Sequence, residues 1–251
     1  FEYSGMLSIH DVKGVSITNC IFRNNRFADD MVHAVYSDIE MEGVTFQDAF
    51  SDALDLDISQ AEIRDSQFEN SGNDAVDLMN TKAVITGSIF RNNGDKGISV
   101  GENSLLMGIN NKLVNNTTGV QSKDRSTAIL LNHTFKNNIT AIHTFKKNWR
   151  YGYGGTIFLG KSTIIDSREN VTAGKKSFMQ LFDSYLEMPE KNKRIETLSS
   201  DKLDQLNATQ AGLFPSLEDI HPTINLALKK FPPQVLVKAD STRRGHHRTN
   251  E

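Results

Sequence analysis

The sequence holds a single cysteine, Cys20, and a single tryptophan, Trp149. One thiol excludes a disulfide framework. No apolar run approaches the 18 residues of a transmembrane helix, so no membrane span is expected. Charge of one sign is not in excess: 24% of residues are charged and the formal net charge is −3. That balance excludes a generic polyanion binder, so nucleic acid is not an expected partner. Apolar residues make up 37%, below the globular average. Ser-His-Asp triads and Gly-rich phosphate loops are missing. Cys20 has no histidine in register, which argues against a nucleophile. The chain opens at Phe1, already inside a patterned segment, as expected of a fragment or a processed product. The abundant residues are 14 phenylalanines together with many Asn and Asp.

The phenylalanines are periodic. Segments ending at Phe22, Phe46, Phe68, Phe90, Leu113 and Phe135 follow one another at intervals of 24, 22, 22, 23 and 22 residues. A polar turn follows each anchor: RNN, QDA, ENS, RNN, VNN, KNN. A second short strand comes next: AVYS, ALDLD, AVDLM, GISVG, GVQSK, AIHTF. This period fits a leucine-rich repeat or a parallel β-helix. Leucine is sparse, and the repeats are rich in β-branched residues and phenylalanine with alternating polarity, which is strand chemistry. Gly, Asn and Asp break each repeat where left-handed turns are tolerated. The reading is an all-β, right-handed parallel β-helix, a solenoid of about 22-residue coils spanning residues 1–170. Coils stack at ~4.8 Å. Phe22, Phe46, Phe68, Phe90 and Phe135 should form an internal aromatic ladder. The Asn pairs 24/25, 92/93, 115/116 and 137/138 should stack at one turn, each amide bonding the next.

The pattern fades after Phe145, with residues 156–167 as a candidate last coil. Phe178, Leu181, Phe182, Tyr185 and Leu186 have helical spacing, so a helix is expected over 173–190. Residues 171–237 read as a helical or irregular cap or packing arm over the open solenoid end. The tail, 238–251, is polar and expected to be disordered. Its His246 and His247, set among arginines, form a weak basic patch.

The repeat over about residues 5–165 resembles the right-handed parallel β-helices of the pectate-lyase-like superfamily. That group includes polysaccharide lyases, epimerases, polygalacturonases and carbohydrate-binding bacterial surface proteins. The resemblance implies a secreted or cell-surface protein whose partner is a polysaccharide or cell-surface glycan, acting as a monomer or as part of a larger chain.

Chemistry-bearing residues gather in the second strand and the turn before it. Asp52, Asp74 and Asp95 are expected at one position of three consecutive coils. By alternation Leu54/Leu56, Val76/Leu78 and Ile98/Val100 point inward, and Asp55, Asp77 and Ser99 outward, joined by Asp57. Carboxylates stacked this closely repel. A cation held by Asp55, Asp57 and Asp77 would offset that, with Ca²⁺ the expected ion. Raised carboxyl pKa values, turn hydrogen bonds or an overlying Lys96 would also offset it. Four coils read SDALD, NDAVD, DKGISVG and GVQSK, similar in order to the NTD, DD, GHG and RIK motifs of the polygalacturonase family. The resemblance maps Asp52, Asp74, Gly97 and Lys123 onto those motifs, but Asn73, Lys96 and Gln121 replace an Asp, the His and the Arg. Inverting hydrolysis needs an acid and a base, so these departures weaken it. A lyase would instead use Lys96 or Lys123, read as one coil apart in register, as the base. Asp52, Asp74, Lys96 and Lys123 are thus the catalytic candidates. Trp149 and Tyr151, beside the YGYGG glycines, are candidates for sugar stacking along with Asp55 and Asp77. Two function classes stay open: a non-catalytic polysaccharide-binding β-helix, and a carbohydrate-active lyase, epimerase or hydrolase.

Overall fold

A computed structural model of the protein describes residues 5–182, 184–186 and 195–198. Each repeat makes three strands separated by three corners. The corners are set by backbone conformation. At one corner Asn24, Asp48, Asn70, Asn92, Asn115, Asn137 and Asp166 all hold φ of 54–59°. Asn and Asp reach this left-handed region more readily than other non-glycine residues. A second corner uses Asn19, Gly43, Asp65, Gly87, Asn110 and Asn132 in the same conformation. The third places Tyr36, Ile58 and Asn80 there. Bulky Tyr36 and Ile58 are strained in that region, and their amides are held by the next coil, donating to Asp57 and Met79 carbonyls at 3.1 and 2.8 Å.

Equivalent strands of successive coils pair in parallel and build three sheets of eight, nine and eight strands among the described residues. The first sheet contains Gly5–His10, Asp30–Val35, Asp52–Asp57, Val76–Met79, Lys96–Gly101, Thr118–Lys123, Thr140–Phe145 and Glu169–Ala173. The second runs from Val15–Thr18 to Ile195–Leu198, and the third from Ile21–Arg23 to Tyr185–Leu186.

The core lies inside the coil. Leu54, Leu56, Val76, Leu78, Ile98 and Val100 point inward and are fully buried. Phe22, Phe46, Phe68 and Phe90 stack with ring centroids 5.1, 4.7 and 4.9 Å apart. Leu113, Phe135 and Ile164 continue the column. Opposite it runs a row of small residues, Ala53, Ala75, Gly97, Gly119 and Ala141. A Cβ at Gly119 would stand 2.8 Å from the Phe135 ring, and one at Gly97 would stand 2.9 Å from Leu113. Column and small-residue row are therefore complementary in size.

The asparagine ladder forms over 92/93, 115/116 and 137/138 as expected, whereas the Asn25 side chain binds Ala28 within its own turn. The Asn93 and Asn116 side-chain amides donate to the Asn116 and Asn138 Oδ1 atoms at 2.8 and 3.1 Å. A matching ladder at the second corner passes from Ser66 through Ser88 to Asn111, and His133 takes the next place. His133 is buried, with Nδ1 2.9 Å from the Leu131 carbonyl and Nε2 3.2 Å from the Asn111 amide. Those partners fix a neutral ring with its proton on Nδ1, and burial pushes its pKa down to about 4.

The expected helix over 173–190 does not form: Phe178–Phe182 and Tyr185–Leu186 are strands of the second and third sheets. Met179 and Leu181 alternate inward, a period of two that the neighbouring apolar residues masked. Residues 156–167 are accordingly not the last coil, and the solenoid passes residue 170. Among the described residues there is no helix. The rest of the 171–237 segment and the 238–251 tail lie outside the described residues.

Phe68 is fully buried between Phe46 and Phe90. Phe68→Ala should cost roughly 3–5 kcal/mol, read as a lowered denaturation midpoint. An unchanged midpoint would show that the column does not carry the core.

Candidate functional site

The first sheet carries the titratable groups. Along its outer face one row of paired residues reads Ser8, His33, Asp55, Asp77, Ser99, Gln121, His143 and Thr172. Asp55 and Asp77 are therefore rung neighbours, as expected. A parallel row reads His10, Val35, Asp57, Met79 and Gly101. A third, at the strand starts, reads Asp30, Asp52, Asp74, Lys96, Thr118 and Thr140, because Asp30 pairs with Asp52 and Lys96 with Thr118.

This register corrects two expectations and places Asp52 and Asp74 away from solvent. Lys96, not Asp95, is the rung neighbour of Asp74: its amide donates to Asp74 Oδ1 at 3.0 Å. Asp95 stands one residue earlier, its amide bound to the Asn73 carbonyl. Lys96 and Lys123 do not share a row, since Lys96 pairs with Thr118 while Lys123 pairs with Phe145. Asp52 and Asp74 do not join an exposed acidic surface; both are buried. Asp52 Oδ1 accepts the Asp74 amide at 2.7 Å and the Asn73 side chain at 2.8 Å. Turn chemistry thus occupies both carboxyls.

The overlying cation exists. Lys96 Nζ lies 3.2 Å from Asp74 Oδ1 and also bonds Asp95. Lys123 is buried and donates to Ser99 Oγ at 3.4 Å. Ser99 belongs to the outward row but is covered.

The first coils concentrate carboxyls around His33. Its Nε2 lies 3.5 Å from Asp57 and 3.8 Å from Asp55, and its Nδ1 lies 3.9 Å from Asp30. Burial, then the charges of Asp57, Asp30, Asp77 and Asp52, push the Asp55 carboxyl up to about 9. Burial likewise raises Asp52 to about 7 and Asp74 to about 6, the latter despite Lys96. Asp57 is raised by burial against the lowering effect of His33. Oδ1 of Asp77 is buried with no hydrogen-bond partner. Farther along, His143 Nδ1 accepts the Gln121 side-chain amide at 3.3 Å, and the ring stacks on Phe145 with centroids 4.7 Å apart.

Asp30 escaped the sequence reading, and His33, which shares a face with His143, was not placed beside the acidic group. The interval from Phe22 to Phe46 is two residues longer than the next, and the extra residues fall between Asn25 and Asp30. Aligning AVYS with ALDLD hid the fact that DMVHAV, Asp30–Val35, is the true equivalent of DALDLD, Asp52–Asp57. Restoring that register would have placed both residues. His33 and His143 do share a row, five coils apart.

Trp149 and Tyr151 lie in an insertion between the strands Thr140–Phe145 and Thr156–Gly160. The Lys147 and Asn148 amides donate to Asp124 Oδ1 at 2.8 and 2.9 Å. Trp149 is 83% exposed and carries Arg150 over its ring at 5.9 Å. Glu102, Lys147, Asn148, Trp149 and Arg150 line an open groove. Glu102 in turn feels the charges of Lys123 and Asp77, so the groove opens beside the outer face.

The raised carboxyls set a pH dependence. A carboxyl whose pKa rises on folding stabilises the fold while protonated, and that contribution is lost as pH climbs from 3.8 towards the folded values of about 6, 7 and 9. Neutral His133 acts oppositely, costing stability as pH falls from 6.5 to about 4. Above pH 6.5 only the carboxyls act, so the melting temperature should fall steadily to pH 9. Asp55→Asn should flatten that fall and be more stable than wild type at high pH by on the order of 2–4 kcal/mol. A wild-type melting temperature that rises over this range would contradict the arrangement.

No curated protein sequence matches the chain. Among solved structures it is similar to the periplasmic alginate epimerase AlgG, with 11% identity, a TM-score of 0.43, and coverage of 74% of this chain and 50% of that one. The chain thus spans about half the length of that enzyme. It is also similar to QnrB1, a plasmid-mediated fluoroquinolone resistance protein, at 12% identity and a TM-score of 0.29, covering 82% of this chain and 100% of that one. The family described as the right handed beta helix region matches residues 31–177, and with its three parallel sheets and coil-by-coil register the chain belongs to that right-handed β-helix family.

Proposed function

We propose that the outer face of the first sheet binds a polysaccharide in an extracytoplasmic setting, without altering it. The observation that carries this reading is the row from His33 to His143. It places carboxyl, amide and imidazole groups at one-rung intervals, with Ser99 and Gln121 buried within the row, and a tryptophan platform stands beside it on the insertion loop. Repeated polar groups at ~4.8 Å spacing suit the repeated hydroxyls of a sugar chain laid along the solenoid. Asp55, held protonated near neutrality, donates as well as accepts. Trp149 offers an apolar ring face for stacking, with Tyr151 half-buried beside it. Asp52, Asp74 and Lys96 hold the strand starts in place rather than touching the glycan.

A second reading is carbohydrate catalysis, favoured by the two carboxyls of Asp55 and Asp77 standing as rung neighbours on the outer face. In it Asp55 serves as general acid and Asp77 as base or nucleophile. Carboxyls about 5–5.5 Å apart serve retaining glycoside hydrolysis, a separation close to the rung spacing. Lys123 and Lys96 are unsuited to proton abstraction in this reading, since Ser99 and the Asp74–Asp95 pair engage them.

Affinity electrophoresis against neutral and uronic-acid polysaccharides tests the proposal. Retardation by at least one polymer is expected, weakened about tenfold by Trp149→Ala and by Gln121→Ala. Absence of retardation by every polymer would refute binding. Release of reducing ends or unsaturated uronates by the wild type, abolished in Asp77→Asn, would replace binding with catalysis.

A further inference from the structure

We propose that Asp30, His33 and Asp55 form a binding site for a divalent transition-metal ion, with Asp57 as the outer carboxylate that orients the imidazole. One ligand atom from each of the three residues lies within 4.8 Å of the other two. Metal–nitrogen and metal–oxygen bonds of about 2.0–2.2 Å place neighbouring ligand atoms about 3–3.5 Å apart. His33 Nδ1 lies 3.9 Å from Asp30, whereas the 3.8 Å contact of Asp55 is to Nε2, so closing the 4.8 Å group onto an ion through Nδ1 takes a side-chain movement on the order of 1–2 Å, chiefly by Asp55. Imidazole geometry supports the same assignment. His33 Nε2 is in hydrogen-bond contact with Asp57 at 3.5 Å. Donation of the Nε2 proton to that carboxylate leaves the Nδ1 lone pair facing Asp30, the arrangement by which an outer carboxylate fixes a metal-binding histidine. The three side chains come from adjacent coils, so the sheet fixes their relative positions before any ion arrives.

A second observation points to a missing positive charge. Oδ1 of Asp77 is buried without a hydrogen-bond partner, one rung from Asp55. Its charge bears on both Asp55 and Asp57. Lys96 does not supply the compensation, because it is engaged by Asp74 and Asp95. A dication beside Asp55 would compensate all of these carboxyls. The nitrogen ligand selects the class of ion. Imidazole suits Zn²⁺ and its neighbours, whereas Ca²⁺ takes six to eight oxygens. Ca²⁺ at Asp55, Asp57 and Asp77, the expectation from sequence, is thus the competing occupant. An imidazolium bridging the carboxylates with no ion is the other. The site does not depend on glycan binding, and its test uses metal alone.

The experiment is a calorimetric Zn²⁺ titration of the chelator-stripped full chain, carrying His246→Ala and His247→Ala to remove the tail's imidazole pair. A parallel Co²⁺ titration is read by visible absorption. One Zn²⁺ per chain is expected, bound at least tenfold more weakly in His33→Gln and in Asp55→Asn. Asp55→Asn relieves charge repulsion, so circular dichroism should show it folded and its lost affinity will not reflect unfolding. A tenfold excess of Ca²⁺ should leave Zn²⁺ in place. No Zn²⁺ binding, binding unchanged in His33→Gln, or displacement by Ca²⁺ would each overturn the assignment.

Discussion

Each paired strand residue among the described coils sits directly above its counterpart in the preceding coil, at the hydrogen-bonding distance between strands. The constraint is geometric and applies without regard to chemistry. Its consequences depend on what is stacked. Phenylalanine on phenylalanine places flat rings at stacking distance, as between Phe46 and Phe68 with an interplanar angle of 6°. Asparagine on asparagine lets each side-chain oxygen accept from the preceding coil's backbone and side-chain amides, as Asn116 Oδ1 does for Asn93. Interior and corner are therefore built by repetition, and every added coil reinforces the previous one.

On the outer face the same stacking sets carboxyl on carboxyl. Two unit charges at rung spacing repel by on the order of 1 kcal/mol even in water, and more once neighbours exclude solvent. Three devices reduce the cost at different places. Asp52 and Asp74 turn their oxygens to amides of the following coil. Lys96 covers Asp74. Asp55 instead takes up a proton near neutral pH. The last leaves a group whose state a ligand can change, and it lies beside His33.

The fold was legible because its signal is redundant. Phe22, Phe46, Phe68 and Phe90 alone give the period, and the Asn and Asp corners confirm it independently. The inward set Leu54, Leu56, Val76, Leu78, Ile98 and Val100 followed from alternation. The site was only partly legible, because each ladder position is a single residue with no second copy to correct an alignment error. A two-residue insertion before Asp30 was enough to hide Asp30 and to separate His33 from the acidic group. A one-residue shift exchanged Asp95 for Lys96 beside Asp74. The C-terminal coils failed for another reason: Phe178, Leu181, Phe182 and Leu186 satisfy a helical period as well as a strand period. What decides between them is the edge offered by Thr156–Gly160, to which Phe178–Phe182 pairs. That is tertiary context, which local pattern does not contain.

The place where repetition stops is therefore informative. Inside, one position reads Phe, Phe, Phe, Phe, Leu, Phe through the coils, which is what packing requires. The outer row reads His33, Asp55, Asp77, Ser99, Gln121, His143, with acidic groups at one end and amide and imidazole at the other. Packing does not ask for that order, since these side chains face outward and cyclic repetition would serve the backbone equally well. A buried Asp77 oxygen without a partner and a buried Lys123 laid over Gly101 are local departures from the self-consistency of the phenylalanine and asparagine ladders. Departures of this kind concentrate at functional sites, where local stability is exchanged for chemistry. Both lie on the first sheet, beside the only long insertion among the described coils, and that coincidence supports placing the proposed binding surface on this face rather than on the two other sheets.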